Sequence, residues 1–275
     1  MLEIPEAIVF SSQLEASIRG KNIVAVKANQ SPHKFAWYFE DPKKYPSRLV
    51  GKMIASVHPT GGMVMISATG TMIVFSDGAG IRFFEKDADL PKKHQLLVSF
   101  DDGSVLAVTI RMYGGIFVFP RGTFDNPYYL GARDKPSPLQ AAFNRDYFDK
   151  LRQADGINSL SVKAFLATDQ RIPGLGNGTL QDILFNAGIH PKRKMASLSV
   201  KDLDLLFRSI KRTLQEMADQ GGRDTEKDLY GNPGGYATKC SRLTVGKPCP
   251  ICGSAIEKGN FLGGSIYYCP QCQPI

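Results

Sequence analysis

Apolar positions fall in short runs broken by turn residues over the first part of the chain and at helical spacing further on. From Ile23 to about Phe119 the runs are Met63 to Ile66, Met72 to Phe75, Leu96 to Phe100, Val105 to Ile110 and Ile116 to Phe119. Turn residues separate them at Thr69-Gly70 and Asp101-Asp102-Gly103, the pattern of an antiparallel β-sandwich or barrel. A leading helix is predicted from Pro5 to about Ile18, because proline is tolerated in a first turn and Gly20 stands just past the end. Pro120 to Pro138, rich in Gly, Pro, Asn and Asp, reads as a surface connector. Beyond it a helix is clearest where Ser199 can cap and Asp202 can answer it, with Leu203, Leu206, Phe207, Ile210, Leu214 and Met217 on one stripe. That stripe is core and implies no chemistry.

Arg171 to Gly178 interrupts two helical segments, one ending near Leu166 and one running from Leu180 to about Ala187. Glycines here let backbone approach a surface and leave N–H groups at a helix start, where phosphate can bind. Gly176 and Asn177 are therefore candidate phosphate contacts, although an ordinary interhelical turn with an Asn cap has the same pattern. His190-Pro191-Lys192-Arg193-Lys194 follows as a basic cluster that could reach a nucleic-acid backbone or simply be solvated.

The terminal segment changes the picture most. Cys249-Pro250-Ile251-Cys252, a gap of sixteen residues and Cys269-Pro270-Gln271-Cys272 place four thiolates at the spacing of one tetrahedral Zn2+ site. Glycines and the run Ile266-Tyr267-Tyr268 between the pairs predict a β-hairpin too small to own a core, so that metal ligation must stabilise it. Two disulfides in a secreted module fit less well, because the chain starts without a basic and apolar leader and only Cys240 remains besides. A four-cysteine iron site shares the ligand set, but tandem CPxC knuckles on a basic chain favour zinc. Four protein ligands leave no open position, so the metal is structural.

Composition narrows the partner. The 275 residues are 43% apolar and 22% charged, enough for two globular domains plus the finger. No apolar run approaches the roughly 18 residues of a membrane span. A net charge of +8 favours a polyanion, although charge alone would also suit an anionic membrane surface or plain solubility. With the finger, nucleic acid is the favoured partner.

Together, the start Met1-Leu2-Glu3-Ile4-Pro5-Glu6, the β region, the turn Gly174-Leu175-Gly176-Asn177, the phrase Asn186-Ala187-Gly188-Ile189-His190-Pro191 and the CPxC pairs resemble the formamidopyrimidine-DNA glycosylase and endonuclease VIII family. The resemblance covers essentially the whole chain and is most specific in the helix-two-turn-helix and the finger. It implies an α+β fold with an N-terminal β-sandwich domain over 1–125, a connector over 126–140, a helix-two-turn-helix domain over 141–235 and the zinc finger over 236–275. It further implies base excision repair: damaged double-stranded DNA as partner, removal of an oxidised base after it is flipped from the duplex, and cleavage at the abasic site. A monomeric cytoplasmic protein, nucleoid-associated if bacterial and without membrane association, is expected.

The resemblance also shows departures. Family members expose an N-terminal proline whose amine attacks the sugar C1′ to form a Schiff base, whereas this chain has Leu2. The remaining candidate amine is that of Met1, a primary amine able to form an imine if it is neutral and reaches the sugar. Glu3 and Glu6 match the family's acidic positions, with helix-dipole complementation as the alternative. Gly62 stands where a lysine contacts DNA, Gly78 near the position of the intercalating wedge, and Gly264 in place of the arginine at the finger tip. Lys163 matches a phosphate-facing residue. Arg111 is a candidate loop contact and Tyr113 a candidate wedge or stacking residue, a strand-end pair being the alternative.

Overall fold

The computed structural model describes residues 1–275 and divides into two units, Met1–Leu130 with Glu226–Pro233, and Gly131–Thr225 with Gly234–Ile275. In the first unit, helix α1 (Ile4–Ile18) has proline in its first turn and ends before Gly20, whose φ of 82° suits glycine. It buries Ala7, Phe10, Leu14 and Ile18 against the sheet.

The strands are β1 (Ile23–Ala28), β2 (Ala36–Tyr38), β3 (Ile54–Thr60), β4 (Met63–Ala68), β5 (Thr71–Phe84), β6 (Leu96–Phe100) and β7 (Val105–Pro120), with a short helix α2 (Tyr45–Leu49) between β2 and β3. They form one sheet in the order β1-β6-β7-β5-β4-β3, with β2 added in parallel to β7. β5 and β7 run through both layers of the sandwich. Their early and late halves pair with different neighbours, so one hydrogen-bonded sheet encloses a single core in which Val64, Ile66 and Phe75 meet Ile81, Val98 and Val108.

The fold changes direction at an irregularity. β7 pairs with β5 at Gly114↔Asp77 and Ile110↔Ala79, which leaves Arg111, Met112 and Tyr113 opposite Gly78 alone. A Cβ on Gly78 would run into the carbonyl oxygen of Tyr113, so only glycine fits there. The two runs expected as separate strands, Val105 to Ile110 and Ile116 to Phe119, are therefore one strand with an outward bulge. The stretch expected as a bare connector carries helix α3 (Pro127–Asp134), and β2 and α2 had no periodic signal.

The second unit holds α4 (Arg145–Gln153), α5 (Val162–Ala167), α6 (Thr179–Ala187), α7 (Val200–Asp219) and the finger hairpin β8 (Glu257–Phe261) and β9 (Gly264–Tyr268). The capping box at Ser199 and Asp202 forms as the sequence implies, and Leu203, Leu206, Ile210, Leu214 and Met217 are buried along α7. Segment 226–233, which lies in sequence after α7, packs on the first unit: Leu229 is fully buried in its core, and the Gln13 side chain pairs with Asp228 Oδ2 and the Leu229 N–H.

Candidate nucleic-acid interface

The chain start is fixed from several sides. The Leu2 side chain lies in the apolar core at 6% exposure, and its N–H donates to the Asp77 carbonyl at 2.6 Å. Asp77 adopts φ 55°, a conformation that Asp tolerates better than most residues, and its carboxylate accepts from Ser76 Oγ and Tyr128 Oη. This holds the Met1 amine 2.6 Å from Glu226 Oε2 on the partly exposed rim. Glu3 stands at the N-cap of α1 and Glu6 in its first turn, both almost fully buried. Tyr113 Oη donates to Met1 Sδ at 3.8 Å, and its phenol pKa is raised, first by burial and then by the negative charges of Asp77 and Glu3. Structure thus gathers Met1, Glu3 and Tyr113 at one place and adds Glu226 and Asp77, which sequence reasoning did not single out. The Asp77-Gly78 dipeptide was a local signal for the break in β5; Glu226 had none, being distant in sequence from Met1, with which it forms an ion pair.

In the second unit, α5 and α6 flank the turn from Thr168 to Gly178, in which Asp169, Gln170 and Gly174 all take positive φ. Lys163 is 5% exposed, donates to the Phe261 carbonyl at 2.6 Å, and has its pKa lowered by burial. Asn177 Nδ2 donates to the Ser265 carbonyl at 3.0 Å. Gln181, unremarked in sequence, completes the seam: its Nε2 reaches the Asn177 and Ser265 carbonyls while its Oε1 accepts from the Tyr267 N–H at 3.0 Å. Gly176 sits partly exposed beside this network.

Gly264 is not at the finger tip. It begins β9, and a Cβ there would lie 3.4 Å from Lys163 Nζ and 3.5 Å from Asn177 Nδ2. The tip is Leu262-Gly263, with both residues at positive φ as a two-residue hairpin turn requires.

The basic cluster is dispersed by its contacts. His190 is buried edge-to-face on Tyr268, and burial lowers its pKa. Arg193 binds Asp202, Lys194 binds the Ser159 carbonyl, and Lys192 lies 5.8 Å over the Phe261 ring.

The sulfurs of Cys249, Cys252, Cys269 and Cys272 all lie within 4.8 Å of one another, at 3.8 Å for Cys249 to Cys272 and 3.4 Å for Cys252 to Cys269. Four sulfurs about 2.3 Å from a central zinc stand about 3.8 Å apart, so the cage fits a closed structural Zn2+ site. The hairpin borrows its core: Phe185 of α6, Cys240 and Ile256 pack around Cys249 and Cys269. Arg111 and Met112 lie exposed on the β7 bulge.

A β unit led by a helix with buried glutamates, and a helical unit whose two-turn connection is bonded to a four-thiolate hairpin, define the zinc-finger helix-two-turn-helix class. Three family models match in turn: the formamidopyrimidine-DNA glycosylase N-terminal domain over residues 1–120, its H2TH domain over 135–228 and the zinc finger found in FPG and IleRS over 246–275. The formamidopyrimidine-DNA glycosylase of Geotalea daltonii is 30% identical, over 99% of this chain and 100% of its own length; that of Bacillus cereus is 27% identical over 100% and 99%. Among solved structures, Lactococcus lactis Fpg in complex with abasic-site DNA superposes with a TM-score of 0.84 at 23% identity, covering 99% of this chain and all of that one. Thermus thermophilus Fpg gives 0.82 at 23% identity, over 98% of each chain. The chain belongs to the formamidopyrimidine-DNA glycosylase family.

Proposed function

We propose that this protein binds damaged double-stranded DNA as a repair glycosylase and abasic-site lyase whose chemistry runs through an altered nucleophile, the Met1 amine. Family membership over the full chain supports the DNA-binding and glycosylase part. The observation that carries the finer part is the Met1 amine held 2.6 Å from Glu226 Oε2.

Glu226 is the proposed acceptor of the proton that the ammonium must lose before it can attack. The neutral amine adds to the C1′ aldehyde of the opened abasic sugar, and water leaves to give an imine. Loss of the C2′ proton then expels the 3′-phosphate and cuts the strand. Glu3 is the proposed proton donor and relay at the sugar, with Glu6 supporting it at the same helix start. Arg111, Tyr113, Gly176, Asn177 and Lys163 are the proposed DNA contacts. Since Asn177 and Lys163 are bonded to the finger backbone, their part is to hold that backbone against the phosphates.

A second reading, a binding protein without catalysis, is favoured by the burial of Leu2, which fixes the terminus through core packing and the Asp77 carbonyl. Incubation with abasic-site duplex tests the proposal: binding with strand cleavage is expected. Binding without cleavage would leave the second reading, and no binding would remove both.

A further inference from the structure

Segment 226–233 is a loop closed on itself. Lys227 bridges to Pro233, the Asp228 N–H donates to the Asn232 carbonyl at 2.8 Å, and Asp228 Oδ1 accepts from the N–H groups of Tyr230 and Asn232 at 3.0 and 2.8 Å. Three contacts seat this loop on the first unit. Leu229 fills the core, and its carbonyl accepts the Phe83 N–H of β5 at 3.1 Å. Tyr230 lies edge-on to Phe83, with its hydroxyl 2.7 Å from Ser17 Oγ. Gln13 makes the third contact: its Nε2 donates to Asp228 Oδ2 at 3.0 Å while its Oε1 accepts from the Leu229 N–H at 2.9 Å. A glutamine amide suits both roles at once, since a glutamate cannot donate and an asparagine is one methylene shorter.

We propose that Gln13 is a positioning residue for the amine chemistry and acts through Glu226: its amide clamps the loop to α1 and so fixes Glu226 Oε2 against the Met1 amine. The inference rests on the Met1 reading above. The side chains of Met1 and Glu226 are 40% and 33% exposed, and an ion pair so open to water holds its own geometry weakly. Both ends must therefore be placed by their surroundings. The amine end is fixed by the Leu2 N–H on the Asp77 carbonyl. The carboxylate end is fixed by the loop, in which Glu226 stands two residues before Asp228. Helix α1 is the common frame. It runs from Glu3 at its N-cap to Gln13 ten residues on, roughly 15 Å along one helix axis, and so holds the amine at its start and the acceptor of the amine's proton from its middle. A misplacement of about 1 Å in a reacting pair costs up to about a hundredfold in rate, which is the effect a released loop would have.

The rate of borohydride trapping on abasic-site duplex reads imine formation, and a double-mutant cycle reads whether Gln13 acts through Glu226. Gln13→Ala is expected to slow trapping at least about tenfold, with duplex affinity within a few-fold of wild type, and to add nothing to the loss in Glu226→Gln. Gln13→Glu alone sets two carboxylates face to face and should also lose trapping. Combined with Asp228→Asn it exchanges donor and acceptor, and trapping is expected to return. A loss in Gln13→Ala that adds in full to that of Glu226→Gln assigns Gln13 to stability and overturns the inference, as does trapping at the wild-type rate; both leave the Met1 reading standing. Acylation of the Met1 amine by acetic anhydride in the DNA-free protein, mapped by mass spectrometry, separates the two readings where wild type gives no adduct. Faster acylation in Gln13→Ala then overturns the nucleophile reading alone and keeps Gln13 as the residue that places the amine's partner. An unchanged acylation rate overturns both.

Discussion

Leu2 marks the protein's departure from its family, and its meaning changes once its surroundings are known. From sequence it reads as the loss of a proline nucleophile; in the structure it is a core residue whose N–H is tied to Asp77. Leu2→Ala is therefore expected to destabilise the protein by about 2 to 4 kcal/mol in urea unfolding, and no change would show that the terminus is not packed as described. Glu3→Gln is nearly isosteric and removes the acid, so cleavage of abasic-site DNA should be lost while affinity stays within a few-fold of wild type. Loss of binding instead would assign Glu3 to structure. The four cysteines were legible because their spacing is local, whereas Glu3 was singled out only by the resemblance at the chain start. Glu226 was not, because only the return of segment 226–233 to the first unit brings it to Met1.

Among the elements, helices with strong local signals were readable: α1 from its proline and glycine, α7 from its capping box. Strand ends were less so, since the merging of two runs into β7 depends on Gly78 meeting the Tyr113 backbone, a contact between distant positions. Gly78→Ala is expected to cost about 1 to 3 kcal/mol, read as a lower urea midpoint with unchanged slope. Gly78 thus has a structural reason to lack a side chain, besides any lost wedge. At the finger, Leu262 holds φ 51° at 57% exposure, a conformation that costs a side-chain-bearing residue about 1 kcal/mol or more. Leu262→Gly should raise the hairpin's thermal stability; a fall would show that Leu262 makes a stabilising contact there.

For the whole molecule, the basic charge and the metal were legible from composition and spacing, and family membership followed from motifs spread along the chain. Zinc removal tests how far the finger supports its unit. Lys163 and Asn177 both bond hairpin carbonyls, so chelation should melt β8 and β9, lower the melting temperature and weaken DNA binding together. Stability and affinity that survive full zinc loss would contradict this. DNA affinity should also fall at least about tenfold between about 50 and about 200 mM salt if several phosphates are neutralised. The most direct test of the central claim is borohydride trapping on abasic-site duplex, with the adduct mapped by mass spectrometry. A covalent adduct on the Met1 amine is predicted; absence of adduct and of strand cleavage, with the duplex fully bound, would contradict it.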